Sequence, residues 1–386
     1  MKEKVVLVGN GMAGVRTLEE LIKLAPDLYQ ITVFGDEPHV NYNRILLSPV
    51  LAGEKQLEDI VLNDAKWYSD NHVELVKGKK VVRIDRQARS VYTEDGTCAS
   101  YDRLILATGS HPIILPLPGK DLLGVIGFRD IKDVDKMIAA TKTGKRAIVI
   151  GGGLLGLEAA NGLLQRGMEV TVIHLLNRLM EKQLDSAAAA MLKTALESRG
   201  IRFLMETQTA AILGQDRVES LSLKDGRELP ADLVVMAVGI RPNVELAKQA
   251  GLFCQRGVVV NDTLQTYDPR VYAVGECVEH RGQTYGLVAP LFEMAKVCAN
   301  HLAKIGISMY HGSVTSTKLK VTGIDLFSAG DFQGSETTED LVYQDKGLGV
   351  YRKLHYKFVL YVNHIILHTK YHSGATLFIQ ALLWEL

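Results

Sequence analysis

Residues 147–160 read "AIVIGGGLLGLEAA". A short apolar strand runs into Gly151, Gly153 and Gly156, spaced G-x-G-x-x-G, and a helix follows. In such a turn the first glycine allows the tight bend. The second lets a pyrophosphate approach the backbone, and the third lets the helix pack on the strand. The helix N-terminus adds free N–H groups and a positive dipole end. Residues 5–21, "VVLVGNGMAGVRTLEEL", repeat the pattern with Gly9, Gly11 and Gly14. Each copy follows an apolar strand, opens a helix and precedes a second strand, which is the context that gives the motif meaning.

The repeat reaches further. "YDRLILATGSHP" (101–112) and "ADLVVMAVGIRP" (231–242) share an aspartate, an apolar strand and then A-x-G-x-x-P. The unit is therefore strand, glycine turn, helix, and later strand with A-x-G-x-x-P, and it occurs twice. Alternating strands and helices imply parallel sheets with helices on their faces. The fold class expected is α/β, with two Rossmann-like dinucleotide-binding domains and a small C-terminal α+β domain. The pattern changes after about residue 313, and "ATLFIQALLWEL" (375–386) is helix-like. "LEDIVLNDAKWY" (57–68) reads as a helix with a solvated acidic face.

The second strands end differently. The first runs into "FGDEP", placing Asp36 and Glu37 where an acid accepts the adenosine ribose hydroxyls. The second runs into "VIHLLNR", placing His174 there with Arg178 four residues on. The two sites thus hold different nucleotides, or hold them differently. Two dinucleotides on one chain suggest an electron relay: one brings a hydride, and the other is a held flavin that returns electrons singly. Neutral His174 neither binds a ribose 2′-hydroxyl as an acid would nor repels a 2′-phosphate, and Arg178 can hold one. NADPH is therefore expected to serve as well as NADH.

Composition excludes other classes. Lys+Arg equals Asp+Glu at 44 each, so there is no basic excess for nucleic acid. No apolar run reaches the roughly 18 to 20 residues of a membrane span. "MKEKVVLVGNG" is too short in its apolar stretch for a signal peptide and reads as the first strand of a cytoplasmic protein. Cys98, Cys254, Cys277 and Cys298 have no C-x-x-C spacing, so neither a zinc knuckle nor an iron–sulfur cluster is expected. His364, His368 and His372 sit in a Val-, Ile- and Tyr-rich run that favours strand, and no metal site is expected there. Cys277 reads as a small buried residue. Trp67 and Trp384 read as core or interface.

The chain resembles the two-dinucleotide-binding-domain flavoproteins of the rubredoxin/ferredoxin reductase group, above all the N-terminal flavin portion of assimilatory NAD(P)H nitrite reductase large subunits. The resemblance rests on "VGNGMAG", "FGDEPHVNYNRILLS", "YDRLILATGS", "GFRDIKD", "VIGGGLLGLEAA", "MEKQLD", "AVGIRPN", "VYAVGECVEH" and "YGLVAPLFEMAK", in order over about residues 1–350. It implies FAD on the first unit. Gly9, Gly11, Met12, Ala13 and Gly14 would meet its pyrophosphate, and Asp36 or Glu37 its ribose. Arg44, Val81, Ala107, Thr108, Gly109, Arg129, Gly275 and Glu276 would line it. NAD(P)H would lie on Gly151, Gly153, Leu154, Leu155, Gly156, His174, Arg178 and Gly239, with Glu158 near the nicotinamide as the catalytic residue. The domains implied are 1–115 (FAD, first part), 116–245 (NAD(P)), 246–312 (FAD, second part) and 313–386 (small α+β).

The function implied is electron transfer from NAD(P)H through FAD to a partner protein. That partner is a nitrite reductase component or a small iron–sulfur protein such as rubredoxin. The protein itself is expected as a monomer or homodimer. A rubredoxin or ferredoxin reductase, or a low-turnover redox sensor, is the alternative. Two departures stand out. Pro49 replaces the lysine that many relatives carry after "LS", and the last forty residues fit the small domain poorly, as a divergent or truncated tail would.

Overall fold

In the computed structural model the described residues are 2–334, 338–345, 347–357 and 361–368. Strand Glu3–Val8 is the centre of a five-stranded parallel sheet, ordered 271–273, 103–106, 3–8, 29–35 and 73–77. A second parallel sheet is ordered 125–126, 233–236, 146–150, 169–173 and 202–204. Parallel strands are covered on both faces and so read as continuous apolar runs. Val5–Val8, Leu104–Leu106, Ala147–Ile150 and Leu233–Met236 are all buried accordingly. The architecture is the α/β fold with two Rossmann-like units that the sequence leads one to expect.

The repeated aspartates do the same job in both units. Asp102 accepts the Lys4 N–H at 2.8 Å, and Asp232 accepts those of Lys145 and Arg146 at 2.9 Å each. Each thereby ties a later strand to the strand before its glycine turn. The stretches that leave the A-x-G turns pair with each other: Ser110–Pro112 lies antiparallel to Ile240–Pro242. This ribbon joins the two units.

The third part is a five-stranded antiparallel sheet, ordered 316–318, 325–329, 361–368, 350–357 and 339–345. Among the described residues it is built of strands, and the helix-like stretch 375–386 lies outside them. Leu319, Val321, Ile324, Leu326, Phe332 and Tyr351 share one core with the second unit and with Tyr42, Leu47, Val50 and Leu51 of the first. One apolar cluster therefore joins all three parts.

Residues 57–68 are not one helix. Glu58–Ile60 is a 3-10 turn, Val61–Asn63 pairs with Asn41–Tyr42, and only Ala65–Asp70 is α-helical. Asp64 is the reason for the late start. Its side chain accepts the Trp67 N–H at 2.8 Å and caps the helix instead of lying on its face. Trp67 packs half-buried on the first core and meets Tyr68 edge-on at 5.0 Å; Trp384 lies outside the described residues.

Candidate functional site

The two glycine turns are built alike, bond for bond. Gly9 N–H donates to Phe34 O at 2.8 Å, and Gly151 N–H to Ile173 O at 2.9 Å. Ala107 N–H donates to Val8 O at 2.8 Å, and Ala237 N–H to Ile150 O at 2.9 Å. A Cβ on Gly9 would lie 2.2 Å from Ala107 O, and one on Gly151 would lie 2.3 Å from Ala237 O. Gly9 and Gly151 also have φ of +111° and +120°, which L side chains disfavour. A Cβ on Gly14 or Gly156 would strike Gly9 O or Gly151 O at 2.8 and 1.9 Å. Only the middle glycines, Gly11 and Gly153, face open space, with nothing within 4 Å of an added Cβ.

These middle glycines cap helices Met12–Leu24 and Leu154–Gln165 with nearly identical backbone angles and no side-chain bond. By contrast the helices Ala65–Asp70, Ile131–Thr141 and Ser186–Glu197 are each capped by an aspartate side chain. The first-turn N–H groups beside Met12 and Ala13, and beside Leu154 and Leu155, are thus left for a ligand. An open glycine beside an uncapped helix end is what a pyrophosphate needs, so both cradles fit a dinucleotide.

Around the first cradle the polar side chains form two clusters. Glu37 accepts the Tyr42 hydroxyl at 2.7 Å and pairs with Arg44 at 2.5 Å, while Arg44 also donates to Arg129 O at 2.7 Å. Asp36 is exposed and 3.9 Å from Lys80. Of the two acids after the second strand, Glu37 is the one turned toward the site's arginine. Glu276 accepts from Ser110 Oγ at 2.7 Å and pairs with Arg129. Gly109 backs on Arg129 at 3.7 Å, and Gly275 backs on Ala13 at 2.9 Å, measured from an added Cβ. Thr108 is held by two bonds to Asn243. The Val81 side chain is buried in the first core, which leaves only its backbone for a ligand.

Around the second cradle His174 is buried, and both ring nitrogens are used. Nδ1 accepts the Gly152 N–H at 3.0 Å, so Nε2 carries the proton and donates to Arg178 O at 2.9 Å. Glu181 lies 3.4 Å from Nε2. The ring therefore braces the glycine turn from below and has no free nitrogen for a ribose. Leu175 and Leu176 are exposed beside it, and the Arg178 Nε is buried without a partner. Gly239 is exposed at φ +122°.

Glu158 lies five residues past Gly153 and is 4 % exposed. Ser48 Oγ donates to its Oε2 at 2.5 Å, and Lys320 N–H to its Oε1 at 2.8 Å. One carboxyl thus joins the first unit, the second unit and the C-terminal sheet. Burial pushes its pKa up to about 7 against the pull of Ser48, the Lys320 N–H and the Lys320 charge. Burial also lowers the Lys320 pKa.

Cys277 is fully buried, its thiol against Val274 O at 3.3 Å and pushed up in pKa by burial. It packs; it is not set up as a nucleophile. Among the described residues no group of His, Cys, Asp or Glu is arranged to hold a metal. His364 and His368 lie on strand Tyr361–His368, and His372 lies outside the described residues. Tyr42, Ser48, Ser110 and Asn243 join the site from within "FGDEPHVNYNRILLS", "YDRLILATGS" and "AVGIRPN", motifs that do not say what these side chains touch, and Lys320 joins it from outside any of them. Ser48 is visible in "LLSPV", but Lys320 meets Glu158 across 162 residues and has no local signal.

Residues 3–295 match the family model described as pyridine nucleotide-disulphide oxidoreductase. The chain belongs to that family. Its members are flavoproteins that use FAD and NAD(P)H, the two cofactors expected from the sequence. Residues 316–358 match the rubredoxin NAD+ reductase C-terminal domain, so the small-domain likeness runs into the tail that reads as divergent. The chain is 54% identical over 98% of its length to nitrite reductase [NAD(P)H] of Bacillus subtilis. It is 49% identical over 91% to the assimilatory nitrate reductase electron transfer subunit of the same organism. It spans 46% of the length of each of these two relatives. The crystal structure of a ferredoxin reductase from Rhodopseudomonas palustris superposes with a TM-score of 0.87 at 26% identity, covering 96% of this chain and 92% of that one. No helix among the described residues is long and apolar enough to cross a membrane.

Proposed function

We propose that the chain takes electrons from NAD(P)H and passes them to a partner protein of a nitrite reductase system, in the cytoplasm, as a monomer or homodimer. The observation that carries this is the duplicated cradle, open at Gly11 and at Gly153 and uncapped at both helix ends. FAD, when bound, accepts a hydride and releases electrons singly. Gly9, Gly11, Gly14 and the first helix end hold its pyrophosphate, with Glu37 toward the ribose. Arg44 and Arg129 supply positive charge on the same side. Gly151, Gly153, Gly156 and the second helix end hold NAD(P)H, and Glu158 stands on that helix as the buried acid of the site. With His174 in place of an acid after the second strand and Arg178 four residues on, the second cradle accepts NADPH as well as NADH.

The test is the absorbance spectrum of the purified protein, followed by anaerobic titration with NADH and NADPH. One FAD per chain, bleached by either nucleotide and without iron–sulfur absorbance, is expected. A protein that takes up no flavin on reconstitution refutes the reading. A rubredoxin or ferredoxin reductase is the second reading, favoured by the C-terminal domain match and the ferredoxin reductase likeness. Acceptor assays with a nitrite reductase component, a ferredoxin and a rubredoxin separate the two.

A further inference from the structure

The polar contacts of Glu158 come from three parts of the chain, and their sum is unusual. Its carboxyl is buried inside the apolar cluster that joins those parts. It has two hydrogen bonds, from the Ser48 hydroxyl and the Lys320 N–H. Among the described residues no arginine or lysine forms an ion pair with it, and Pro49, next to Ser48, brings no charge. The charged groups at the end of its helix and on the elements packed against it are engaged elsewhere. Asp133 of helix Ile131–Thr141 accepts the Arg129 N–H, Arg166 donates to Leu51 O and Val50 O, and His174 braces the glycine turn. The Lys320 charge favours the ionised form of Glu158, less than its two hydrogen bonds do. The ammonium is half-buried and makes only a long, 3.4 Å bond to Lys318 O.

We propose that Lys320 and Ser48 act on the reaction as positioning residues for Glu158: the Ser48 hydroxyl and the Lys320 main-chain N–H fix the carboxyl where the three parts meet. The inference rests on the functional reading above, in which Glu158 stands on the nicotinamide side. A carboxylate bonded by one hydroxyl and one N–H is weakly stabilised for a buried ion, so loss of either bond, or of the Lys320 charge, favours its neutral form. Removing that cation leaves a carboxyl that stays protonated to higher pH. The C-terminal sheet thereby reaches into the chemistry of the nucleotide units through one residue.

Two measurements test this. The first is infrared difference titration of the buried carboxyl in the flavin-free protein. Wild type is expected to titrate near pH 7, and Glu158→Gln to lose the signal. Lys320→Met keeps the main-chain N–H and much of the side-chain volume, and is expected to raise the midpoint by about one pH unit. Lys320→Arg restores it, and Ser48→Ala raises it independently. The second is the pH profile of anaerobic flavin reduction by NADH, whose inflection is expected to move by the same amount in Lys320→Met. An unmoved carboxyl midpoint in Ser48→Ala overturns the inference, as does a shifted midpoint with an unmoved rate profile. A wild type that NADH and NADPH fail to reduce at every pH refutes the functional reading itself, and is distinguished because it needs no variant.

Discussion

The two glycine units share a backbone and differ in what surrounds it. Five residues past the middle glycine, the first helix carries Arg16, partly exposed and paired with Glu19 and Glu20. The second helix carries buried Glu158 at the same place. After the second strand, one unit turns Glu37 toward Tyr42 and Arg44, whereas the other folds His174 under its own loop. The open, uncapped cradle is therefore a property of the turn, which two different side-chain environments leave intact. The role of each unit is set by residues outside the turn.

The sharpest way to break the comparison is to fill one cradle at a time. Because an added Cβ at Gly11 or Gly153 meets nothing, valine there leaves the fold intact and occupies the place of the pyrophosphate. Gly11→Val is expected to abolish FAD binding, read as loss of flavin absorbance. Gly153→Val is expected to keep the flavin and lose reduction by NAD(P)H. Flavin loss from the Gly153 variant alone would mean the two units are assigned the wrong way round.

The first glycines should behave oppositely. Gly9→Ala and Gly151→Ala force a Cβ onto a carbonyl oxygen at positive φ, and each should cost about 3 kcal/mol or more in stability by urea unfolding. Equal costs would confirm that the turns are structurally equivalent; a neutral change at either would not fit these contacts.

Glu158 sharpens the contrast through pH. Its folded-state pKa, about 7, lies above the ordinary value of 4.5. Its stabilisation is thus full below pH 4.5 and is lost as pH rises through about 7. The loss is about 3 kcal/mol, because moving a pKa by one costs about 1.4 kcal/mol. Unfolding free energies of wild type and Glu158→Gln across pH 4.5–8 should differ by that slope. A slope that survives in Glu158→Gln assigns it to another group.

The smallest effect concerns His174. His174→Ala removes two hydrogen bonds from the turn, and should raise KM for NADH and NADPH alike by about fivefold, or ~1 kcal/mol. A changed NADH-to-NADPH ratio of kcat/KM would mean that the ring touches the ribose after all.

The glycine turns and the strands around them are legible because their signals are local: a backbone conformation that only glycine tolerates, and apolar runs imposed by two-sided burial. The sequence also points to Asp102 and Asp232 as a repeat, though not to their bonds with the opening strands. It misleads at 57–68, where acidic spacing reads as a helix face and Asp64 is in fact a cap. The Ser48–Glu158–Lys320 junction is illegible for another reason. Nothing in "LLSPV" or "KLKVTG" says that two domains close over one carboxyl, since that contact exists only once the shared core has formed.

The order of the first sheet has a consequence for biosynthesis. Its edge strand Val271–Ala273 lies beside Arg103–Leu106, yet some 165 residues are translated between them. All five strands of the second sheet, 125–126 to 233–236, emerge within that interval. On the ribosome the inserted unit can therefore finish its sheet while the earlier one still exposes an unpaired edge at Leu104–Leu106. Domains generally fold as units during synthesis, and open edges invite mispairing. The first-begun sheet of this protein is thus completed only after the second, and a nascent chain stopped before residue 270 would display that edge to its neighbours.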